Sequence, residues 1–192
     1  MEKLYAHLGA NGKWGYADEQ GNLVIPCQWD KVWFFAEGLA AVQKDCKWGF
    51  IDKRGTLVIP CQWDKVWFFK EGLAAVQKDR KWGFIDKRGN LVIPCQWPCH
   101  SSFSDGLASV LSEHGSGYID RQGNVVIPCD WDEAYDFREG LAIVMEMAYD
   151  NGIPYYYVID KSGETVLDVC FVDFSVADAA RTDLLQKRQN PD

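Results

Sequence analysis

Long apolar runs are missing from this sequence. None approaches the roughly 20 residues that a membrane-spanning helix needs, and no apolar leader follows Met1-Glu2-Lys3-Leu4. A helical membrane span is thereby excluded, and the default location is cytoplasmic, with export left open. Histidine is scarce: His7, His100 and His114 are the three in the chain. Their spacing suggests no Ser/His/Asp or Cys/His pairing. A glycine-rich phosphate loop and a paired CxxC motif are also lacking. Basic clusters are lacking too: 20 Lys and Arg stand against 28 Asp and Glu, a net charge of −8. That balance argues against phosphate-backbone binding and for a soluble protein or one that meets a basic partner. No cofactor, nucleic acid or membrane is expected.

The seven cysteines are an odd number, so at least one thiol is unpaired within a monomer. Cys27, Cys61, Cys95 and Cys129 each directly follow a proline at one phase of a repeat. Disulfide frameworks use varied spacings, so these four are expected to be small buried apolar residues in a reducing compartment. Cys95, Cys99 and His100 are the nearest approach to a metal cluster, with Cys129 or His114 to complete it. The set lacks the paired spacing of zinc sites, so no metal site is predicted.

What the sequence does have is one unit copied several times. Pro26, Pro60, Pro94 and Pro128 stand 34 residues apart, as do Gly21, Gly55, Gly89 and Gly123, and Gly38, Gly72, Gly106 and Gly140. That period invites two helices per repeat, but Gly38, Gly49, Gly55 and Pro60 leave no segment long enough for them. Glycine costs about 1 and proline about 3 kcal/mol inside a helix. Strands fit instead: Leu39 to Gln43, Trp48 to Asp52 and Leu57 to Pro60 form a three-strand meander joined by short polar turns. Both faces of these strands are largely apolar, which predicts cover from neighbouring units on both sides. Asp18, Asp52, Asp86, Asp120 and Asp160 each precede a turn glycine and are expected to accept the turn's amides rather than to catalyse.

Pro60 is expected to end its strand, leaving Cys61 to Glu71 as a packed aromatic connector with about one helical turn. Five three-stranded units are predicted at about 4–37, 38–71, 72–105, 106–139 and 140–174, an open, solenoid-like array favoured over a closed propeller. The exposed ends of such an array can pair between chains. Residues 175–192 read as a short capping helix and tail. Ser175 is its expected N-cap, Val176, Ala179, Ala180 and Leu184 its apolar face, and Asn190-Pro191 its stop.

The segments Lys47-Trp48-Gly49-Phe50-Ile51-Asp52-Lys53 and Lys81-Trp82-Gly83-Phe84-Ile85-Asp86-Lys87, each preceded by Glu-Gly-Leu-Ala-Ala-Val, resemble the WG (KWG) repeat family of bacteria. Lys13-Trp14-Gly15-Tyr16 carries the same motif, with Ala17 in place of isoleucine. The departures are Ser116-Gly117 and Tyr156-Tyr157 at the Trp-Gly position. The resemblance implies a β-rich repeat array used in binding, with no shared catalytic residues.

Aromatics carry the functional reading. Trp29, Trp63, Trp97 and Trp131 form one repeated series, expected in the core, and Trp33, Trp67 and Tyr135 form a second. If exposed, the second series is a ladder that stacks on a partner, and these three are the candidate binding residues. Near-identical copies offer the same groups repeatedly, which suits a multivalent surface better than an active site with separated roles. The chain therefore reads as a non-enzymatic protein-interaction scaffold, with an acidic inhibitor or immunity-type binder as a narrower form. A glycan- or peptide-binding module is the alternative.

Overall fold

The computed structural model describes residues 3–167 and 169–189. It is mainly β, with five small antiparallel sheets in tandem and one helix. The first sheet is a plain meander of β1 (Tyr5–Leu8), β2 (Trp14–Ala17) and β3 (Leu23–Trp29). The second runs β4 (Lys31–Ala36), β5 (Leu39–Lys44), β6 (Lys47–Asp52) and β7 (Leu57–Trp63) in that order. The third holds β8 (Lys65–Val66), β9 (Leu73–Lys78), β10 (Lys81–Asp86) and β11 (Leu91–Trp97). The fourth holds β12 (Cys99–His100), β13 (Ala108–Leu111), β14 (Ser116–Ile119) and β15 (Val125–Trp131). The fifth is β16 (Glu133–Ala134), β17 (Leu141–Met147) and β18 (Pro154–Asp160), followed by α1 (Phe174–Gln189). Two compact units divide the chain, Met1–Gln96 and Trp97–Asp192.

The connector expected to contain a helical turn is instead the opening strand of the next sheet. In copy two, Glu37 and Gly38 both have positive φ, 49° and 92°, and link Ala36 to Leu39 across a two-residue hairpin. Each sheet from the second on thus gains a strand ahead of the expected meander. The sheets are consequently out of phase with units cut at 38, 72, 106 and 140.

Pro60 does not end its strand either. Trp48 lies opposite Trp63 and Phe50 opposite Ile59, so Pro60, Cys61 and Gln62 together face the single Gly49. The missing N–H is tolerated because this stretch bulges out of the ladder at a sheet edge. The bulge brings the Ile59 carbonyl so near that a Cβ on Gly49 would sit 2.3 Å from it. Gly15, Gly83 and Gly117 meet Ile25, Ile93 and Ile127 in the same way, at 2.3, 2.4 and 2.5 Å. In the fifth sheet the outer strand shrinks to isolated bridges, Tyr156 with Phe171 and Ile159 with Thr165.

The core lies between sheets, as two-sided apolar strands require. Ala40, Val42 and Ile51 of the second sheet pack with Tyr16, Ile25 and Trp29 of the first. Leu39, Ala41 and Phe50 pack from the other face with Val66, Phe69, Ala74, Val76 and Ile85 of the third. In the second unit Ala142, Val144 and Ile159 pack with Tyr118 and Ile127 of the fourth sheet. The turn glycine also joins sheets: Gly55, Gly89 and Gly163 rest over Ile25, Ile59 and Ile127 of the preceding sheet.

The repeated aspartates are turn residues. Asp18 accepts the amides of Gln20 (3.0 Å) and Asn22 (2.8 Å), and Asp52, Asp86, Asp120 and Asp160 do the same two and four residues on.

Helix α1 takes the place of a sixth sheet. Leu185 packs on Leu141 and Val158, the positions by which the second sheet meets its successor. Gln189 donates to Glu139 Oε2 at 2.6 Å, whereas the matching Glu37 and Asp105 accept the amides of Gly72 and Gly140 at 2.9 and 2.7 Å. The cap is Asp173 rather than Ser175, since its carboxylate accepts the Ser175 amide at 2.8 Å and the Val176 amide at 3.3 Å. The buried face is Ala177, Arg181 and Leu185; of the expected set, Leu184 packs half-buried on the same cluster, while Val176 and Ala179 are exposed. The expected stop at Asn190-Pro191 lies outside the described residues. Leu185→Ala is predicted to cost about 2–3 kcal/mol by leaving a cavity over Leu141 and Val158, read from urea unfolding midpoints.

Candidate binding surface

The second aromatic series is positioned by the connector strands. Tyr16, fully buried, donates its hydroxyl to the Trp33 carbonyl at 2.6 Å, and Tyr118 donates to the Tyr135 carbonyl at the same distance. Burial pushes both phenols well above their ordinary range, so they remain donors. The backbone amides of Trp67 and Tyr135 donate to Ala75 and Ile143 at 2.8 and 3.0 Å. Each ring is therefore presented from a fixed backbone.

Trp33 is half-buried, with Trp48 at 6.0 Å and Trp67 at 5.0 Å between ring centroids, both edge to face. Trp67 is 40% exposed and touches Phe68 at 5.5 Å. Phe68 in turn meets Phe34, which is 59% exposed, at 5.3 Å. The first unit thus carries a connected platform of Trp33, Phe34, Trp67 and Phe68, two rings of which stand well out of the surface. Tyr135 lies in the second unit, where its ring meets Phe174 at 4.7 Å and its hydroxyl donates to Glu133. Tyr156 meets the other side of that contact, 5.9 Å from Phe174.

Phe34 and Phe68 were not among the residues singled out from the sequence. Their signal was present: the same position is Ser102 and Asp136 in later copies, a tolerance that half-buried Phe35 and buried Phe69, Phe103 and Phe137 do not share. Trp29 and Trp63 are buried as expected, while Trp97 and Trp131 are half-buried. The apolar pairs Leu23-Val24, Leu57-Val58, Leu91-Val92 and Val125-Val126 are exposed, contrary to the expectation of cover on both faces. They precede the bulge, where the outer strand has no neighbour beyond it.

The repeated cysteines are half-buried rather than buried, and all seven thiols are free. Cys61 and Cys95 donate weakly to the Val42 and Val76 carbonyls, and burial raises both thiols above their ordinary range. Among the described residues no three His, Cys, Asp or Glu side chains converge to hold a metal ion. His100 is largely enclosed, and burial holds its pKa below the ordinary value. No helix among the described residues is long and apolar enough to cross a membrane.

Charge is used to tie sheets together. Asp30, between β3 and β4, receives Lys13 from the first sheet and the Asp45 amide from the second at 2.9 Å. Asp64 repeats this with Lys47 and the Asp79 amide, at 2.5 and 3.0 Å. The lysine hydrogen bond is the main cause that holds each carboxyl below its ordinary range.

These features define a class: a tandem β-repeat module whose stacked sheets present aromatic rings from rigid connectors. The profile of the WG containing repeat family matches residues 14–48, 48–82, 82–112 and 117–146, and the chain belongs to that family. No curated protein matches the chain. Among solved structures, the crystal structure of the eukaryotic initiation factor aligns over 89% of this chain with a TM-score of 0.63 and 10% identity. The alignment spans 52% of that chain, so this protein covers about half its length, and at that identity the likeness is one of fold.

Four of the turn carboxylates contribute to the acid sensitivity of the fold. Hydrogen bonds from Asn22, Asn90, Asn124 and Ser162 are the main cause holding Asp18, Asp86, Asp120 and Asp160 below the ordinary carboxylate value. A carboxyl whose pKa is lowered on folding stabilises the fold fully above the unfolded value, about 3.9. That contribution is lost as pH falls through the lower folded values. Urea midpoints are therefore predicted to be flat from neutral pH to about 5 and to fall steeply below about 4. Asp86→Ala should lower the neutral midpoint and shallow the acid fall.

Proposed function

We propose that the protein is a non-enzymatic module that binds another protein through the Trp33, Phe34, Trp67 and Phe68 platform. The observation that carries this reading is the exposure of Phe34 and Trp67 in ring contact with half-buried neighbours. Rigid aromatics that already share contacts lose little side-chain freedom on binding, and such residues dominate interface energetics. Membership of a repeat family supports the general reading of a repeat-based binding module. The net charge of −8 favours a basic partner, the chemistry that an acidic inhibitor or immunity-type binder meets. The same paired rings suit stacking on a sugar or an extended peptide, which is the second reading.

The test is affinity capture from the native host with the wild-type chain and with Phe34→Ala/Trp67→Ala. Loss of captured proteins by the variant, with an unchanged melting temperature, is the expected result. The affinity of an identified partner should fall at least about tenfold. Capture that survives the double substitution places the contact elsewhere. Tryptophan fluorescence titrated with a glycan panel addresses the second reading, which fails if no glycan shifts or quenches the emission.

A further inference from the structure

The hairpin between β17 and β18 differs from its counterparts in both length and charge. In the second and third sheets two residues, Asp45-Cys46 and Asp79-Arg80, close the turn beyond the pairs Lys44 with Lys47 and Lys78 with Lys81. In the fifth sheet the matching pair is Glu146 with Tyr155, and residues 147–154 lie beyond it. At about 3.3 Å per residue the extension reaches roughly 10 Å past the shorter turns. Hydrogen bonds hold it in shape. Asp132 accepts the Met147 amide at 2.6 Å, Ala148 donates to the Ile153 carbonyl at 3.0 Å, and Gly152 donates to the Ala148 carbonyl at 2.8 Å. The Ile153 amide donates to Asn151 Oδ1 at 2.9 Å, and Gly152 takes a φ of 65° at the tip.

Core packing does not account for the extension, because Met147, Tyr149 and Ile153 are exposed, Tyr149 completely. Glu133 opposes Met145, Met145 opposes Tyr156 and Met147 opposes Pro154, so Glu133, Met147, Pro154 and Tyr156 share one face of the sheet. Phe174, also exposed, continues that row from Tyr156. The surroundings are acidic. Glu133 and Glu146 stand where the second sheet has Lys31 and Lys44, and Gly115 stands where Lys13 and Lys47 pair with Asp30 and Asp64. Asp132 and Asp150 add two carboxylates, and residues 122–137 and 139–160 contain no Lys or Arg.

We propose that this face of the fifth sheet, lengthened by the hairpin, is a second docking site. Its occupant is a linear segment of a partner protein that places Lys or Arg beside aromatic or aliphatic side chains. The row from Phe174 through Tyr156 and Met147 supplies apolar contact, with Tyr149 at the tip, and thioether and rings adapt to varied apolar groups. The carboxylates around the row favour cationic flanks and repel acidic ones. Because the hairpin is already hydrogen-bonded into shape, little order is lost on binding. The site stands independently of the aromatic platform in the first unit.

Selection of a phage-displayed library of random linear peptides on the full chain tests this. The bait carries Phe34→Ala/Trp67→Ala, so that peptides held by the platform do not enter the result. Enriched peptides are resynthesised and titrated by fluorescence anisotropy. They should combine Lys or Arg with Trp, Phe or Leu. Adding Met147→Ala/Tyr149→Ala to the bait should raise their dissociation constants at least about tenfold. The melting temperature should not move, since both side chains are exposed. Glu133→Gln/Asp150→Asn should weaken binding more at low salt than at high salt. Absence of any enriched peptide overturns the proposal, as do peptides that bind equally well after Met147→Ala/Tyr149→Ala. Enrichment of acidic or uncharged peptides overturns the assignment of a basic occupant.

Discussion

The close approach of the Ile59 carbonyl to Gly49, with its equivalents at Gly15, Gly83 and Gly117, is the constraint on which the rest of the structure depends. Without a Cβ at that point, the outer strand can carry three residues against one and remain in the sheet. The bulge returns Trp63 to a place opposite Trp48 and leaves Ile59 buried against the next sheet. It also allows Pro60, which then guards the edge. One missing side chain thereby sets the outer strand, the sheet-to-sheet contact and the resistance to aggregation together.

Stacking distributes stability across the interfaces between neighbouring sheets, and the first and fifth sheets differ from those between them. At the C-terminal end α1 supplies what a further sheet would supply: Leu185 for the apolar cover and Gln189 for the polar contact. The first sheet answers differently, with Ala17 where the following copies have Ile51 and Ile85, and with β1 exposed. In between, Asp30 and Asp64 connect neighbouring hairpins with a carboxylate that reaches a lysine of one sheet and an amide of the next.

Much of this was legible in the 34-residue interval. Strands rather than helices, and the turn role of Asp52 and its equivalents, follow from glycine and proline spacing, and the terminal helix from the change of texture after Phe174. The fourth strand was harder to see. Glu37-Gly38 was a two-residue hairpin signal, but the aromatic run before it lacks the alternation of a half-buried strand. Pro60 misled because a proline in mid-strand normally argues for a strand's end, and only the partner's glycine shows that a bulge absorbs it. The helix face slipped by one residue because packing on Leu141 and Val158, not the cap, decides which side is buried. For the candidate site, Trp33 and Trp67 were recognisable as a repeated pair. Their junction with Phe34 and Phe68 depends on which way each ring turns from the connector, and no periodicity encodes that.

The account rests most directly on the glycine of the Trp-Gly pair, and one pair of unfolding experiments tests it. Gly49→Ala should cost about 3 kcal/mol or more, because the new methyl meets the Ile59 backbone and not a movable side chain. Gly12→Ala, at a φ of 73° in open space, should cost only the left-handed penalty of about 1–2 kcal/mol. Equal and small losses in urea unfolding at the two positions would contradict the claim that this close approach organises the repeat.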